Sequence, residues 1–185
     1  RNSTPPLRAP KFKGFEVRKP AERGNFVSDG VALLPGGRHL ALLDPSTSES
    51  VRVDLTTGAC DRVKVEEEPS ALLLKDGKLY VASRKTAALT VIDAATFKPA
   101  GRIAIAEPCW FLSAPILGDR LYVGGSQGRP QIIDTSTGRV LAQTHENGIY
   151  GSLTPTADGT ALYSLLGADR LPELATLDGK RRGSP

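Results

Sequence analysis

The chain has 185 residues, of which 39% are hydrophobic and 24% charged, a length and balance that suit one globular domain. No run approaches the roughly 18 consecutive apolar residues of a membrane-spanning helix, and no basic segment leading into an apolar one marks a secretory leader. The formal net charge of +4 belongs to the ends: residues 1–24 hold seven basic and two acidic side chains, Lys180, Arg181 and Arg182 add three positive charges, and residues 25–179 hold 14 basic against 18 acidic, so a basic nucleic-acid face is not expected on the body of the chain.

Residues 1–25 read as an N-terminal arm. Positions 1–10 are Pro-rich and polar, in the manner of a linker, and Phe12–Val17 is one strand-like segment. Asn2-Ser3-Thr4 fits a glycosylation sequon, a tripeptide that is common by chance. The absence of Met, even at position 1, reads as a processed chain or an excerpt of a longer one.

From residue 26 a four-strand pattern repeats. The first unit, 26–66, has strands at Val31–Leu34, Leu40–Leu43, Val51–Leu55 and Arg62–Val65. Val31–Leu34 is nearly all apolar and is expected to be an inner strand buried on both faces. Asp54 to Gly58 makes the hairpin before the outer strand, since Asp bonds backbone two residues on and Gly accepts positive φ. The second unit, 67–106, uses Ala71–Leu74, Leu79–Ala82, Leu89–Ile92 and Arg102–Ile105. The third, 107–147, uses Trp110–Ser113, Leu121–Gly124, Gln131–Ile133 and Val140–Gln143. The fourth, 148–179, uses Ser152–Thr154, Ala161–Leu165 and Glu173–Leu177, with no outer strand of its own. Residues 180–185 read as a solvated basic tail, or as a protease-sensitive linker.

The leucines opening the second strands, Leu40, Leu79, Leu121 and Leu162, stand 39, 42 and 41 residues apart. The closing aspartates, Asp54, Asp93, Asp134 and Asp178, stand 39, 41 and 44 apart. A period near 40 with four short strands marks a propeller blade, and no long 3.6-period run supports a helical repeat. The expected fold is therefore all-β: a β-propeller of which about four blades are present, each a four-stranded antiparallel sheet. The motif residues are Gly30-Val31-Ala32 with Pro35-Gly36-Gly37, Leu79-Tyr80-Val81, Leu121-Tyr122-Val123, Asp54 with Thr57-Gly58, and Asp134 with Thr137-Gly138. This pattern resembles the YVTN-type β-propeller repeat of bacterial and archaeal seven-bladed propellers and, more loosely, WD-repeat propellers, over roughly residues 26–179. The resemblance implies a larger ring than four blades, completed by additional blades from further sequence or from a second chain. It also implies an extracytoplasmic setting, periplasmic or secreted, over a cytoplasmic one.

Few residues carry chemistry. Cys60 and Cys109 fall at opposite ends of their sheets, form no C-x-x-C, and read as small packed thiols. His39 and His145 stand on different blades without a metal-ligand spacing. Gly124 to Gly128 lies between strands and lacks a phosphate-loop Lys, so it reads as a turn. No catalytic, metal or cofactor set is expected. In propellers generally, the connection between blades and the loop between second and third strands share one face. That face would gather Glu66 to Glu68, Arg84, Lys85, Glu107, Trp110, Arg129, His145, Tyr150 and Arg170. Arg84, Lys85, Trp110, Arg129 and Tyr150 are the partner-binding candidates, because Trp, Tyr and Arg dominate binding hot spots. For Trp110, the sole Trp, the residue type favours core packing over partner contact.

Three functions compete. A non-catalytic scaffold that presents its loop face to a protein partner fits the lack of a nucleophile, base or metal set. A propeller part of an enzyme, lactone hydrolase-like or quinone- or amine-dehydrogenase-like, needs reactive groups from other blades or another subunit. A structural cell-envelope module is the third. Fold alone does not choose among them.

Overall fold

Short β-rich runs interrupted by Asp, Gly and Thr can form strands but no long element, and the computed structural model of the chain follows that pattern. It describes residues 30–114, 118–125, 130–143, 153–155, 161–164, 173–176 and 181–182. Every regular element among them is a strand. The first sheet holds β1 (Val31–Leu33), β2 (His39–Asp44), β3 (Glu49–Asp54) and β4 (Cys60–Lys64) in that order. The second holds β5 (Pro69–Lys75), β6 (Lys78–Ser83), β7 (Ala88–Asp93) and β8 (Lys98–Ala104). The third holds β9 (Cys109–Ser113), β10 (Arg120–Gly125), β11 (Gln131–Asp134) and β12 (Val140–Gln143). The fourth holds β13 (Leu153–Pro155), β14 (Ala161–Ser164), β15 (Glu173–Thr176) and β16 (Arg181–Arg182). All pairings are antiparallel between consecutive strands. This is the architecture of β-propeller blades, as the repeat predicts.

Consecutive sheets meet through their inner strands: β1 and β2 lie against β5, β5 and β6 against β9, and β9 against β13. One apolar cluster fills the space between the first and second sheets, with Leu34, Ala41 and Val63 against Leu72, Leu79, Val81, Ile92 and Phe97. A second joins the second sheet to the third, with Tyr80, Leu89 and Ile103 against Leu121, Val123 and Ile133. Blades thus stabilise one another rather than folding each around its own core.

The hairpins between third and outer strands share one chemistry. The Asp54 carboxylate accepts the amides of Thr56 and Thr57 at 2.8 and 3.0 Å. Asp134 accepts those of Ser136 and Thr137 at 2.8 and 2.9 Å. Asp93 accepts those of Ala95 and Thr96 at 3.1 and 2.7 Å. Gly58 and Gly138 then take φ of 73° and 71°. In the second blade Phe97 stands at the glycine position with φ 54°. Its amide donates to the Asp93 carbonyl at 2.9 Å, as Gly58 does to Asp54.

Three sequence expectations need correction. The inner strand β1 is not buried on both faces: Val31 and Leu33 are 54% and 56% exposed. In the second blade the paired positions are covered by the first blade, and no described sheet covers them here. The outer strand of the second blade starts earlier than Arg102, at Lys98, because a register shift between Val91 and Ile92 lets Pro99 pair with Ile92. The fourth blade has an outer strand after all: Arg181 and Arg182 pair with Ala175 and Leu174. Backbone bonds make that pairing, and a short charged strand is well suited to a sheet edge. Phe12–Val17, the strand-like segment of the N-terminal arm, lies outside the described residues.

Candidate functional site at the loop face

The end of the sheets opposite the Asp hairpins is built from the connections between blades and the loops between second and third strands. Ser83 closes β6 and organises the loop after it. Its hydroxyl accepts the amides of Lys85 and Thr86 at 3.0 and 2.8 Å and donates to the Glu67 carbonyl at 2.5 Å. The Arg84 amide donates to the Glu68 carbonyl at 3.0 Å. The loop 84–87 is thereby locked onto the connection 65–68. Glu68 itself sits at φ 51°, a left-handed backbone that a non-glycine residue adopts at some cost.

On this frame the Arg84 guanidinium lies over the Trp110 ring, 5.1 Å from its centroid. The pair bridges two blades, since Arg84 follows β6 and Trp110 is on β9. Trp110 is 44% exposed, so it does not pack in the core as its residue type predicts. The neighbouring inner-strand positions already fill that core: Cys109 beside it is fully buried, and its carbonyl accepts the Ser70 hydroxyl at 2.7 Å. Trp110 therefore projects to the rim.

Lys85 pairs with Glu67 across the same loops, and that carboxylate raises the Lys85 ammonium above its ordinary range. Arg102 pairs with Glu66 at 2.7 Å and holds the Glu66 carboxyl below its usual range. Two of the three glutamates in the 66–68 run are thus tied in ion pairs. Glu107 is buried, and the space its carboxylate occupies exists because residue 125 is glycine. A Cβ at Gly125 would stand 1.8 Å from its Oε1. At the next position, a Cβ at Gly124 would stand 1.8 Å from the Phe111 ring.

Among the predicted contacts, the structure brings Arg84, Lys85 and Trp110 onto one face. Arg129 and Tyr150 lie outside the described residues, as do His145 and Arg170. Sequence reading missed Ser83 and Gln131. The Gln131 side-chain oxygen accepts the Ala106 amide at 2.8 Å and ties the start of β11 to the connection between the second and third blades. Their signal is a polar residue at the loop-face end of an otherwise apolar strand. Both cysteines are free thiols. Burial pushes the Cys109 thiol up to about 12. Among the described residues no group of three or more His, Cys, Asp or Glu side chains could hold a metal, and no helix is long and apolar enough to cross a membrane.

No family model matches the sequence, and no curated protein sequence matches it. Solved structures do resemble the fold. Hydrazine synthase of Kuenenia stuttgartiensis superposes with a TM-score of 0.68 at 18% identity, over 89% of this chain and 51% of that one. Dihydro-heme d1 dehydrogenase NirN gives 0.68 at 17% identity, over 84% and 36%. BamB from Moraxella catarrhalis gives 0.63 at 20% identity, over 82% and 46%. The chain spans about half or less of the length of each structure. The likeness establishes a β-propeller fold, and at these identities it is a likeness of fold alone.

Proposed function

We propose that the chain is a non-catalytic β-propeller scaffold that presents its loop face to a protein partner. Arg84, Lys85 and Trp110 would make the contact, with Arg129 and Tyr150 completing it. The observation that carries the reading is the Arg84–Trp110 stack: a rim-exposed ring held by a guanidinium whose loop is pinned by backbone bonds. Rigid Trp and Arg side chains give contact area at small ordering cost, which is why they dominate hot spots. The repeat is read as YVTN-like, in the units 26–66, 67–106 and 107–147 and a fourth that starts at 148 and takes in the outer strand Arg181–Arg182, within a ring that other blades complete. An extracytoplasmic setting and no nucleic-acid partner go with this reading.

A second reading, a propeller part of an enzyme, is favoured by the names of two compared structures, a synthase and a dehydrogenase. It requires reactive groups supplied from outside the described residues. The test is affinity capture from the source cell with the wild-type chain and with Trp110→Ala and Arg84→Ala. Under the scaffold reading a partner is retained by the wild type and weakened by about 1–4 kcal/mol in either variant. Equal retention by both variants removes this face. Catalytic turnover by the assembled complex, with loss on changing a residue of this chain, would move the assignment to the enzyme reading.

A further inference from the structure

The junction between the first and second blades is filled by side chains that the next junction lacks. The repeat matches the two junctions position by position. Arg52 pairs with Asp61 on the third and outer strands of the first blade. Val91 pairs with Gly101 on those of the second. Arg52 and Val91 each stand two residues before a hairpin aspartate, Asp54 and Asp93. The following blade's hairpin supplies a third residue, Phe97 at the first junction and Gly138 at the second. Each comes four residues after its aspartate, with positive φ. At the first junction the Phe97 ring is buried between the sheets. The Arg52 guanidinium lies 5.1 Å from its centroid and donates to the Asp61 carboxylate at 2.9 Å. At the second junction the matching trio is Val91, Gly101 and Gly138, and a cleft of about 190 Å³ opens there. A Cβ on Gly138 would stand 3.6 Å from Ile103, so a side chain at that position would enter the cleft as Phe97 enters its own junction. One exchange runs the other way. Tyr80 follows Leu79 where Ala41 follows Leu40, and its hydroxyl bonds the Thr135 side chain across the blades. The cleft is the space left open beyond that ring.

Its walls and mouth state what fits. Tyr80, Val91 and Ile103 are buried side chains of its lining. Gly101 and Gly138 present bare backbone on which a flat group can lie. The volume exceeds the roughly 150 Å³ of an apolar cavity that takes up benzene. Ser136, Thr137 and Lys78 are exposed at the mouth. Two of the described lining residues are cations. Arg102 is tied to Glu66 at 2.7 Å, whereas Lys78 has no ion-pair partner among the described residues. We propose that this cleft is a binding site for a small aromatic acid, with its ring in the place that Phe97 takes at the first junction and its carboxylate on Lys78. The site lies at the Asp-hairpin end of the sheets, opposite Arg84, Lys85 and Trp110, so it stands or falls apart from the partner-binding reading.

Phenylacetate is the probe, titrated into the full chain while backbone amide shifts are followed by NMR. Saturable shifts are expected at Val91, Gly101 and residues 135–138. Gly138→Phe puts a ring into the cleft at a hairpin position where Phe97 shows that a ring is accepted, and it is expected to abolish those shifts. Gly101→Leu fills the cleft from a strand position without positive φ and with open space about its Cβ. It should abolish binding without touching the hairpin backbone. Lys78→Gln should weaken phenylacetate by roughly two- to fivefold, the worth of an exposed ion pair, and leave the binding of neutral benzyl alcohol unchanged. Absence of saturable shifts around the cleft, binding retained in both filled variants, or phenylacetate affinity untouched by Lys78→Gln would each overturn the proposal.

Discussion

Replacing Phe97 reverses the usual order of alanine and glycine. Phe97 occupies the left-handed position that Gly58 and Gly138 fill in the first and third blades. It is 3% exposed, lies in the cluster between first and second blades, and takes the Arg52 guanidinium at 5.1 Å from its ring centroid. Arg52 also donates to the Ala95 carbonyl at 3.1 Å, so the ring and that arginine fasten two blades together. Removing the ring to alanine costs about 3–5 kcal/mol of packing and keeps the left-handed strain, about 1–2 kcal/mol for an L-residue. Glycine loses the same packing and relieves that strain, against about 0.5–1 kcal/mol for its freer unfolded chain. Phe97→Gly is therefore expected to be more stable than Phe97→Ala by about 0.5–1 kcal/mol, with both far below the wild type. Urea unfolding followed by Trp110 fluorescence measures this, provided the denaturant slope is the same for both variants. An alanine variant as stable as the glycine one would refute the strain assignment.

Gly124→Ala is expected to destabilise by about 1–3 kcal/mol, because its Cβ meets the Phe111 ring at 1.8 Å and forces a rearrangement of that aromatic. Pairing it with Phe111→Ala in a double-mutant cycle recovers part of the loss, and strict additivity would show that the clash is not the cause. A thiol reagent modifies Cys60 in the folded chain and spares Cys109, which is buried with a raised thiol pKa; mass spectrometry of peptides reads the order, and early Cys109 labelling contradicts it. Hydrogen bonds hold Asp54, Asp93 and Asp134 below the ordinary carboxylate range, from Arg38 for the first, the Thr96 amide for the second and the Ser136 hydroxyl for the third. A depressed folded pKa gives stability that is full above the unfolded value of about 4 and falls as pH drops through the folded values. Thermal melts should therefore lose height below pH of about 4, and an Asp54→Asn, Asp93→Asn, Asp134→Asn triple variant should flatten that loss; an unchanged acid profile would remove the role.

The fold was legible because the information is repeated. Leucine spacing, Asp-Thr-Gly hairpins and inner-strand apolarity each give the same period, and agreement of independent local signals is what specifies a structure. Exposure was less legible. The pattern Val31-Ala32-Leu33 reads like any inner strand, and whether a neighbour covers it is a property of assembly rather than of local sequence. The pairing of Arg181 and Arg182 was hidden for a related reason: a two-residue edge strand is held by backbone bonds and leaves no hydrophobic trace. At the candidate site, residue type and loop position single out Arg84, Lys85 and Trp110, and the structure places them on one face. Ser83 was not, since a serine ending a strand looks like a solvated residue until its three backbone partners are seen. Phe97 also escaped, because the glycine rule of the other hairpins hides a residue that breaks it.

The Arg84–Trp110 stack invites a structural explanation, since it joins two blades and could serve as a staple alone. Magnitudes separate the two roles. A cation–π contact at an exposed site is worth about 0.5–1 kcal/mol, and a half-exposed ring forgoes much of its burial energy. The buried cluster below it, with Tyr80, Leu89, Leu121 and Ile133, dominates the cohesion of those blades. Trp110→Ala should therefore shift stability by no more than about 1–2 kcal/mol, well under a core aromatic, so loss of a partner in that variant is not a consequence of unfolding. Trp110→Phe sharpens the distinction. Phe keeps a ring under Arg84 and most of the stack, but it removes the indole N–H and part of the rim surface. A staple tolerates that change, whereas a hot spot in a fitted pocket does not. Unaltered partner affinity in Trp110→Phe, together with a stability loss above about 3 kcal/mol in Trp110→Ala, would make the stack architecture and nothing more.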